Sequence, residues 1–152
     1  MKVIRIVVII LVSVGIAFIL ACSEKKTASL EGNEDIVAVL QKTPKTFEDS
    51  EIINEIYTDD AIVKEWDGFS GRLIELRGLK QIENWRKEKG KVWRRTGITI
   101  SSIEKKADTA HVEYKVDYEE VVSGGERGAL NKCSAEMQKI GPIWKIKEEI
   151  DR

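Results

Sequence analysis

The pattern of apolar and polar residues divides this chain into three stretches with different periods. Residues 6–21 are an uninterrupted uncharged run. Residues 23–33 (SEKKTASLEGN) are small, polar and charged without periodicity, which predicts a flexible tether. A helical stretch then follows. Asp35 is placed to cap a short helix over 36–42, which Thr43-Pro44 would end. A second helix is predicted over about 46–57. Acids crowd its first turns (Glu48, Asp49, Glu51), and Phe47, Ile52, Ile53 and Ile56 form its apolar stripe. Asp59-Asp60 reads as its break. Ala61 to Trp66 predicts a strand that stops at the turn signal Asp67-Gly68. Residues 79–87 predict a third helix, with Leu79, Ile82 and Trp85 on one side.

Beyond Gly90 the period becomes two. Residues 93–104 alternate around Ile98, Ile100 and Ile103. In residues 107–120 (ADTAHVEYKVDYEE), Ala110, Val112, Tyr114, Val116 and Tyr118 face one way. His111, Glu113, Lys115, Asp117 and Glu119 face the other. Ser123-Gly124-Gly125 predicts a turn, residues 129–140 a strand, Gly141-Pro142 another turn, and residues 144–150 the closing strand. Helices followed by long antiparallel strands make an α+β domain. Its expected span is 35–152.

The leading segment carries its own chemistry. Lys2 and Arg5 precede an apolar run of 16 residues, shorter than the roughly 20 needed to cross a bilayer. Ile19-Leu20-Ala21-Cys22 resembles the lipobox of bacterial lipoproteins, with Leu20 a less usual residue at its variable position. The resemblance implies a signal peptide over 1–21, cleavage before Cys22, and diacylglyceryl on the Cys22 sulfur with an acyl chain on its amine. It further implies a lipid-anchored tether over 22–34 and a place in the bacterial cell envelope, outside the cytoplasm. Ser23 after the cysteine points to the outer membrane where a cell has two. Two acyl chains suffice for stable anchoring where one does not. The competing reading is an uncleaved membrane helix.

Composition narrows the partners. Charged residues make up 34% of the chain, yet losing Lys2 and Arg5 only takes the formal net charge from −1 to −3. Nucleic acid is therefore not expected as a partner. With Cys22 lipidated, Cys133 is the one remaining thiol, so the domain must hold together without a disulfide.

The order of motifs resembles the nuclear transport factor 2-like superfamily, particularly its SnoaL-like members. The residues that carry this are Tyr57, Asp60 and Ala61 after a helix, Gly78 opening the next helix, and Gly141, Trp144 and Ile146 in the last strand. The likeness covers about 35–152. It implies a strongly curved antiparallel sheet wrapped round helices as a cone with a pocket at its wide end. It also implies that homodimers through the sheet are common. Enzymes (isomerases, dehydratases, cyclases), carriers and dimerisation modules share that fold, so function must come from the site.

An enzyme here would need inward titratable groups with tuned pKa values. His111, the only histidine, falls on the polar side of its strand and is expected at the surface. Tyr57, Glu65, Arg77, Tyr114 and Cys133 are polar candidates for the cavity, and Trp66 and Trp93 are aromatic ones. Trp85 and Trp144 are expected in the core. Buried tyrosines with a bonded hydroxyl are ordinary core residues, and a cysteine alternating with Ala135 and Met137 is ordinarily an inert small hydrophobe. The run Arg86, Lys87, Lys89, Lys91, Arg94 and Arg95 could meet anionic headgroups, but a solvated helix end explains it better.

No catalytic set, metal-ligand spacing, phosphate loop or cofactor motif is visible in the sequence. The expectation is a membrane-tethered domain that binds a small apolar ligand or a protein partner without catalysis. The alternative is a SnoaL-like enzyme working through inward Tyr and carboxylate groups. Two or more buried ionisable groups on one void would favour the enzyme, and a wholly apolar void would favour binding.

Overall fold

The computed structural model describes residues 30–67, 70–121 and 128–152. The proposed signal peptide, Cys22, most of the tether and the Ser123-Gly124-Gly125 turn lie outside the described residues. Helix α1 (Glu34–Lys42) leads into two 3-10 turns (Thr43–Phe47 and Ser50–Ile52) and a single-turn helix α2 (Ile53–Ile56). Strands β1 (Tyr57–Asp67) and β2 (Arg72–Arg77) follow, then helix α3 (Leu79–Lys89). The chain closes with β3 (Trp93–Lys106), β4 (Thr109–Glu120), β5 (Gly128–Ile140) and β6 (Ile143–Asp151). The sheet order is β2-β1-β6-β5-β4-β3. Every pairing is antiparallel except β1 with β6, which is parallel. The sheet is therefore mixed.

The predicted helix over 46–57 is not continuous. Its first residues, Thr46 and Phe47, belong to the 3-10 turn that begins at Thr43, and Asp49, extended at φ −132°, accepts the Glu51 amide and breaks the backbone path. Asp59-Asp60, expected to break a helix, instead lies in β1, where its register against β6 shifts between Tyr57 and Ile62. Asp35 is not the cap of α1, which starts one residue earlier. It sits in the first turn and accepts the Trp144 indole N–H at 2.7 Å. Strand β2 has no counterpart in the sequence reading, because its residues RLIELR are largely exposed and lack a clean two-residue period.

The core lies between the helices and the inner face of the sheet. Ile36 and Leu40 of α1, Ile53 and Ile56 of α2, and Ile82 of α3 are fully or almost fully buried. They meet Ala110, Val112 and Val116 of β4, Ala135 and Met137 of β5, and Trp144 and Ile146 of β6 in one cluster. Each buried aliphatic side chain contributes roughly 1.5–3 kcal/mol, so this cluster is what gathers helices and sheet.

Two glycines hold the helices at their distance. Gly78, at φ +75°, adopts a conformation that L side chains rarely take, and its N–H donates to the Ala61 carbonyl at 2.8 Å. That bond sets the start of α3 against β1. At the other end of α3, a Cβ on Gly90 would lie 2.5 Å from the Phe47 carbonyl oxygen. The absence of a side chain there lets the 3-10 turn close over the helix.

A phase slip in β6 creates the site. Trp144 and Ile146 point inward, and strict alternation would send Ile150 inward too. The register against β5 shifts between Glu136 and Met137, however, which face Glu148 and Ile146 with Lys147 between them. Glu149 and Asp151 consequently point into the cone.

Candidate functional site

Three acids, two arginines and three tyrosines meet inside the cone. Glu65 comes from β1, Arg86 from α3, Arg95 from β3, Tyr114 and Tyr118 from β4, Glu149 and Asp151 from β6, and Tyr57 from the start of β1. Arg95 pairs with Glu149 at 2.7 Å and with Asp151 at 3.1 Å, while its Nε donates to the Tyr118 hydroxyl at 2.8 Å. Arg86 bridges Glu65 at 3.1 Å and Glu149 at 3.2 Å. Tyr57 and Tyr114 both donate to Glu149, the latter at 2.7 Å, and Tyr118 donates to Asp151. Asn131 donates to Asp151 at 2.8 Å, and the Trp85 indole donates to Glu65 at 3.2 Å. Lys89, on the last turn of α3, also pairs with Glu65.

Formal charges balance within this group, with three carboxylates against Arg86, Arg95 and Lys89. Phe47 caps it from the helical side, its ring 4.5 Å from the Arg86 guanidinium carbon and 5.4 Å from that of Arg95. The Arg86 Nε is the one buried side-chain nitrogen without a hydrogen-bond partner among the described residues.

Electrostatics lock the protonation states. Burial pushes the Glu149 pKa upward, but Arg95, Arg86 and the hydroxyls of Tyr57 and Tyr114 outweigh it and bring it down to about 2. Asp151 behaves alike: burial opposes ionisation, while Arg95, Tyr118 and Asn131 prevail and lower its pKa to about 2. Burial raises the pKa of Tyr57, Tyr114 and Tyr118, with a nearby carboxylate adding to the effect. Burial also raises the Cys133 thiol, against the pull of Arg95. A general acid or base works best with a pKa near the operating pH. These carboxylates and phenols are driven away from neutrality in opposite directions.

Above this group lies a cavity of about 620 Å³. Its wall comprises Trp66 and Asp67 at the end of β1, Trp85, Glu88 and Lys89 of α3, Val92 between α3 and β3, Trp93 at the start of β3, Glu120 at the end of β4 and Ala129 of β5. Tyr118, Lys89 and Asn131 form its floor, and they are the same side chains that bond Asp151 and Glu65 beneath. The void is thus neither wholly apolar nor bare of ionisable groups. Two nearly buried ones, Lys89 and Tyr118, line it, which is the arrangement expected of the enzyme alternative, although both are already bonded to carboxylates.

The residues singled out in the sequence fall in different places. Trp66 lines the cavity and is 48% exposed. Tyr57, Tyr114 and Cys133 lie below the floor, the first two bonded to Glu149. Arg77 is exposed on β2 and pairs with Glu75. Glu65 is central to the buried group, Trp93 and Trp85 both line the cavity, and Trp144 is core. His111 is part-exposed and pairs with Glu136. The basic run is not a uniformly solvated surface: Arg86 and Arg95 are fully or nearly fully buried in ion pairs. Only the phase of α3 and of β3 separates them from their exposed neighbours Lys87 and Arg94. Asp151 and Glu149 gave no signal, because they follow the phase slip in β6. Among the described residues no group of acids, His or Cys is arranged to hold a metal ion, and no helix is long and apolar enough to cross a membrane.

No protein-family model matches the sequence, and no curated protein does. Solved structures do match the fold. A nuclear transport factor 2-like protein of unknown function from Silicibacter pomeroyi is 13% identical, with a TM-score of 0.61 over 82% of this chain and 98% of its own. A ketosteroid isomerase-like protein from Catenulispora acidiphila, solved in complex with trimethylamine, is 13% identical, with a TM-score of 0.55 over 78% of this chain and 84% of its own. A de novo designed protein with a curved β-sheet is 17% identical, with a TM-score of 0.53 over 77% and 97%. The chain has the nuclear transport factor 2-like fold. At these identities the likeness concerns the fold alone.

Proposed function

We propose that this chain is a tethered binding protein of the bacterial cell envelope, anchored through lipid on Cys22, whose cavity takes a small molecule without chemical conversion. The observation that carries the binding reading is the aromatic cavity of about 620 Å³ set over a floor whose charges are already satisfied. That size falls in the range of small-molecule sites. Its indole-rich wall supplies apolar area, and its few polar groups can orient a ligand. Beneath the floor, Arg95 and the phenol hydroxyls hold Glu149 and Asp151 ionised with pKa values of about 2, which favours a structural role for these two carboxylates over proton transfer. The trimethylamine complex of the Catenulispora protein supports small-molecule binding as a use of this fold.

The chain entry and the cavity lie toward opposite ends of β3. Lys105, near the end of β3, donates to the Gly32 carbonyl at 3.3 Å, so the chain enters the domain at that end. Trp93, at the opposite end of the same 14-residue strand, lines the cavity. At about 3.3 Å per residue, the path along the strand between them is at most about 40 Å.

Intact-mass analysis of the native protein tests the anchor: the expected N-terminus is Cys22 bearing acyl mass, and any other start ends that part of the reading. Native mass spectrometry of the full chain tests the cavity. A bound small molecule, released on denaturation and displaced by blocking the cavity with Ala129→Trp, is the expected result. A ligand whose occupancy is indifferent to that substitution would contradict the reading.

A further inference from the structure

At the end of the sheet away from the cavity, the β5–β6 hairpin carries an apolar tip that the core does not use. We infer that this tip, Ile140 to Ile143, is a bilayer-docking surface that seats the chain-entry end of the domain in the membrane holding Cys22. The inference rests on the anchor proposed above and is independent of what the cavity binds.

Hairpin turns are ordinarily rich in small polar residues. Here the four residues are Ile-Gly-Pro-Ile, with no polar side chain among them. Ile140 and Ile143 are cross-strand partners, so their side chains leave the sheet on one face, and they are 48% and 53% exposed. Gly141, at φ +61°, supplies the left-handed conformation at the first position of a two-residue turn, and Pro142 beside it is exposed too. Neither isoleucine is part of the core. Scattered exposed apolar residues are normal, so the place of this pair decides what it means.

That place is beside the point where the chain enters the domain. Asp35 accepts the indole N–H of Trp144, the residue after Ile143, at 2.7 Å. Lys105 donates to the Gly32 carbonyl at 3.3 Å, and its nitrogen stands 5.4 Å from the Trp144 ring centroid. Entry and tip are thus tied together through Trp144. Leu30, itself exposed, comes eight residues after Cys22, a reach of at most about 30 Å. A lipid on Cys22 therefore brings the entry within reach of the bilayer, but the tether does not by itself fix which side of the domain meets it. The tip supplies that second contact. A protein partner for the tip would have to compete with a membrane to which the same chain is already joined.

Charge does not single out a headgroup. Lys105, Lys106, Lys139 and Lys145 lie around this end, and so do Glu31, Glu34, Glu104 and Asp108. The contact is apolar, and its strength follows the area that the isoleucines bury at the headgroup boundary.

The test places an environment-sensitive nitrobenzoxadiazole label on the full lipidated chain in phosphatidylcholine vesicles, with and without bromine on the acyl chains. Ile143→Cys and Ile140→Cys are two independent reporters at the tip. Leu130→Cys is the control, on the same face of β5 toward its other end. The unsubstituted chain, whose Cys133 is buried, is the blank. Brominated lipid is expected to quench the tip labels several-fold more than the label at 130, and added salt is expected to leave that difference unchanged. Equal quenching at both ends of β5, in a chain that floats with the vesicles, overturns the docking and leaves the anchor standing. Quenching that salt abolishes overturns the apolar contact in favour of the lysines. A blue-shifted tip label that bromine does not quench means protein cover, such as a second copy, and overturns the bilayer as occupant. A chain that neither floats nor carries acyl mass overturns the anchor and the docking together.

Discussion

Arg95 on β3 and Glu149 on β6 form a buried ion pair at 2.7 Å, although two strands separate them in the sheet. Side chains on strands that far apart meet only because the sheet curves until its inner face closes on itself. The pair is therefore a measure of the cone. Arg95→Met is expected to leave Glu149 and Asp151 short of their shared cation and to cost about 3–5 kcal/mol. Tyr114→Phe removes one of several bonds to Glu149 and should cost about 1.5–3 kcal/mol. Urea denaturation of both variants checks the order. A smaller loss for Arg95→Met than for Tyr114→Phe would contradict the central place given to the arginine.

Stability should fall steeply in acid. Glu149 and Asp151 have folded-state pKa values of about 2, below the usual 4.5 and 3.8. Groups with depressed pKa values bind fewer protons folded than unfolded, so their contribution is complete above about pH 5 and disappears as pH drops towards 2. The combined loss should be on the order of several kcal/mol. Urea midpoints measured from pH 7 to pH 2.5 are expected to hold until about pH 5 and then decline. Glu149→Gln should flatten that decline, at a cost in stability at neutral pH. A midpoint that rises on acidification would contradict the assignment.

Gly90→Ala is expected to destabilise more than a change at an open helix end. A Cβ there would lie 2.5 Å from the Phe47 carbonyl oxygen, a contact with backbone that cannot swing aside. Overpacking of this kind costs about 1–3 kcal/mol. Phe47 should shift with it, and its ring lies against Arg86, Arg95 and Tyr118. Thermal unfolding read by near-ultraviolet dichroism checks both effects. An unchanged midpoint would mean that the turn and helix are not held at this distance.

Cys133 should be chemically silent in the folded protein. Its thiol is buried beside Asp151, and burial raises its pKa despite the nearby Arg95. Iodoacetamide at pH 8 is expected to label Cys133 only after denaturation, as read by peptide mass mapping. Rapid labelling of the native chain would show that the floor of the cavity opens.

The sequence determined most of the scaffold by itself. Strict alternation from Ala110 to Tyr118 specified both the strand and its inner face, since a period of two allows a half-buried strand only one choice. The third helix, the position of Gly78 and the burial of Trp144 were legible for similar local reasons. The second helix was read as continuous over about 46–57 because the extended Asp49 breaks the backbone path while the apolar spacing still looks helical. The candidate site was legible only in fragments. Glu65, Tyr57 and Tyr114 stood out as inward polar residues, and Trp66 and Trp93 as aromatics in need of an explanation. Arg86 and Arg95 were hidden in a basic run that reads as surface, and Glu149 and Asp151 in an acidic strand end. Only the tertiary structure decided that these four meet. A single phase slip near Lys147 turns the acids inward, and sheet curvature brings Arg95 across to them. Local periodicity fixes which face a residue lies on. Buried charge requires a partner from elsewhere in the chain, and that partner is set by curvature that no short window of residues contains.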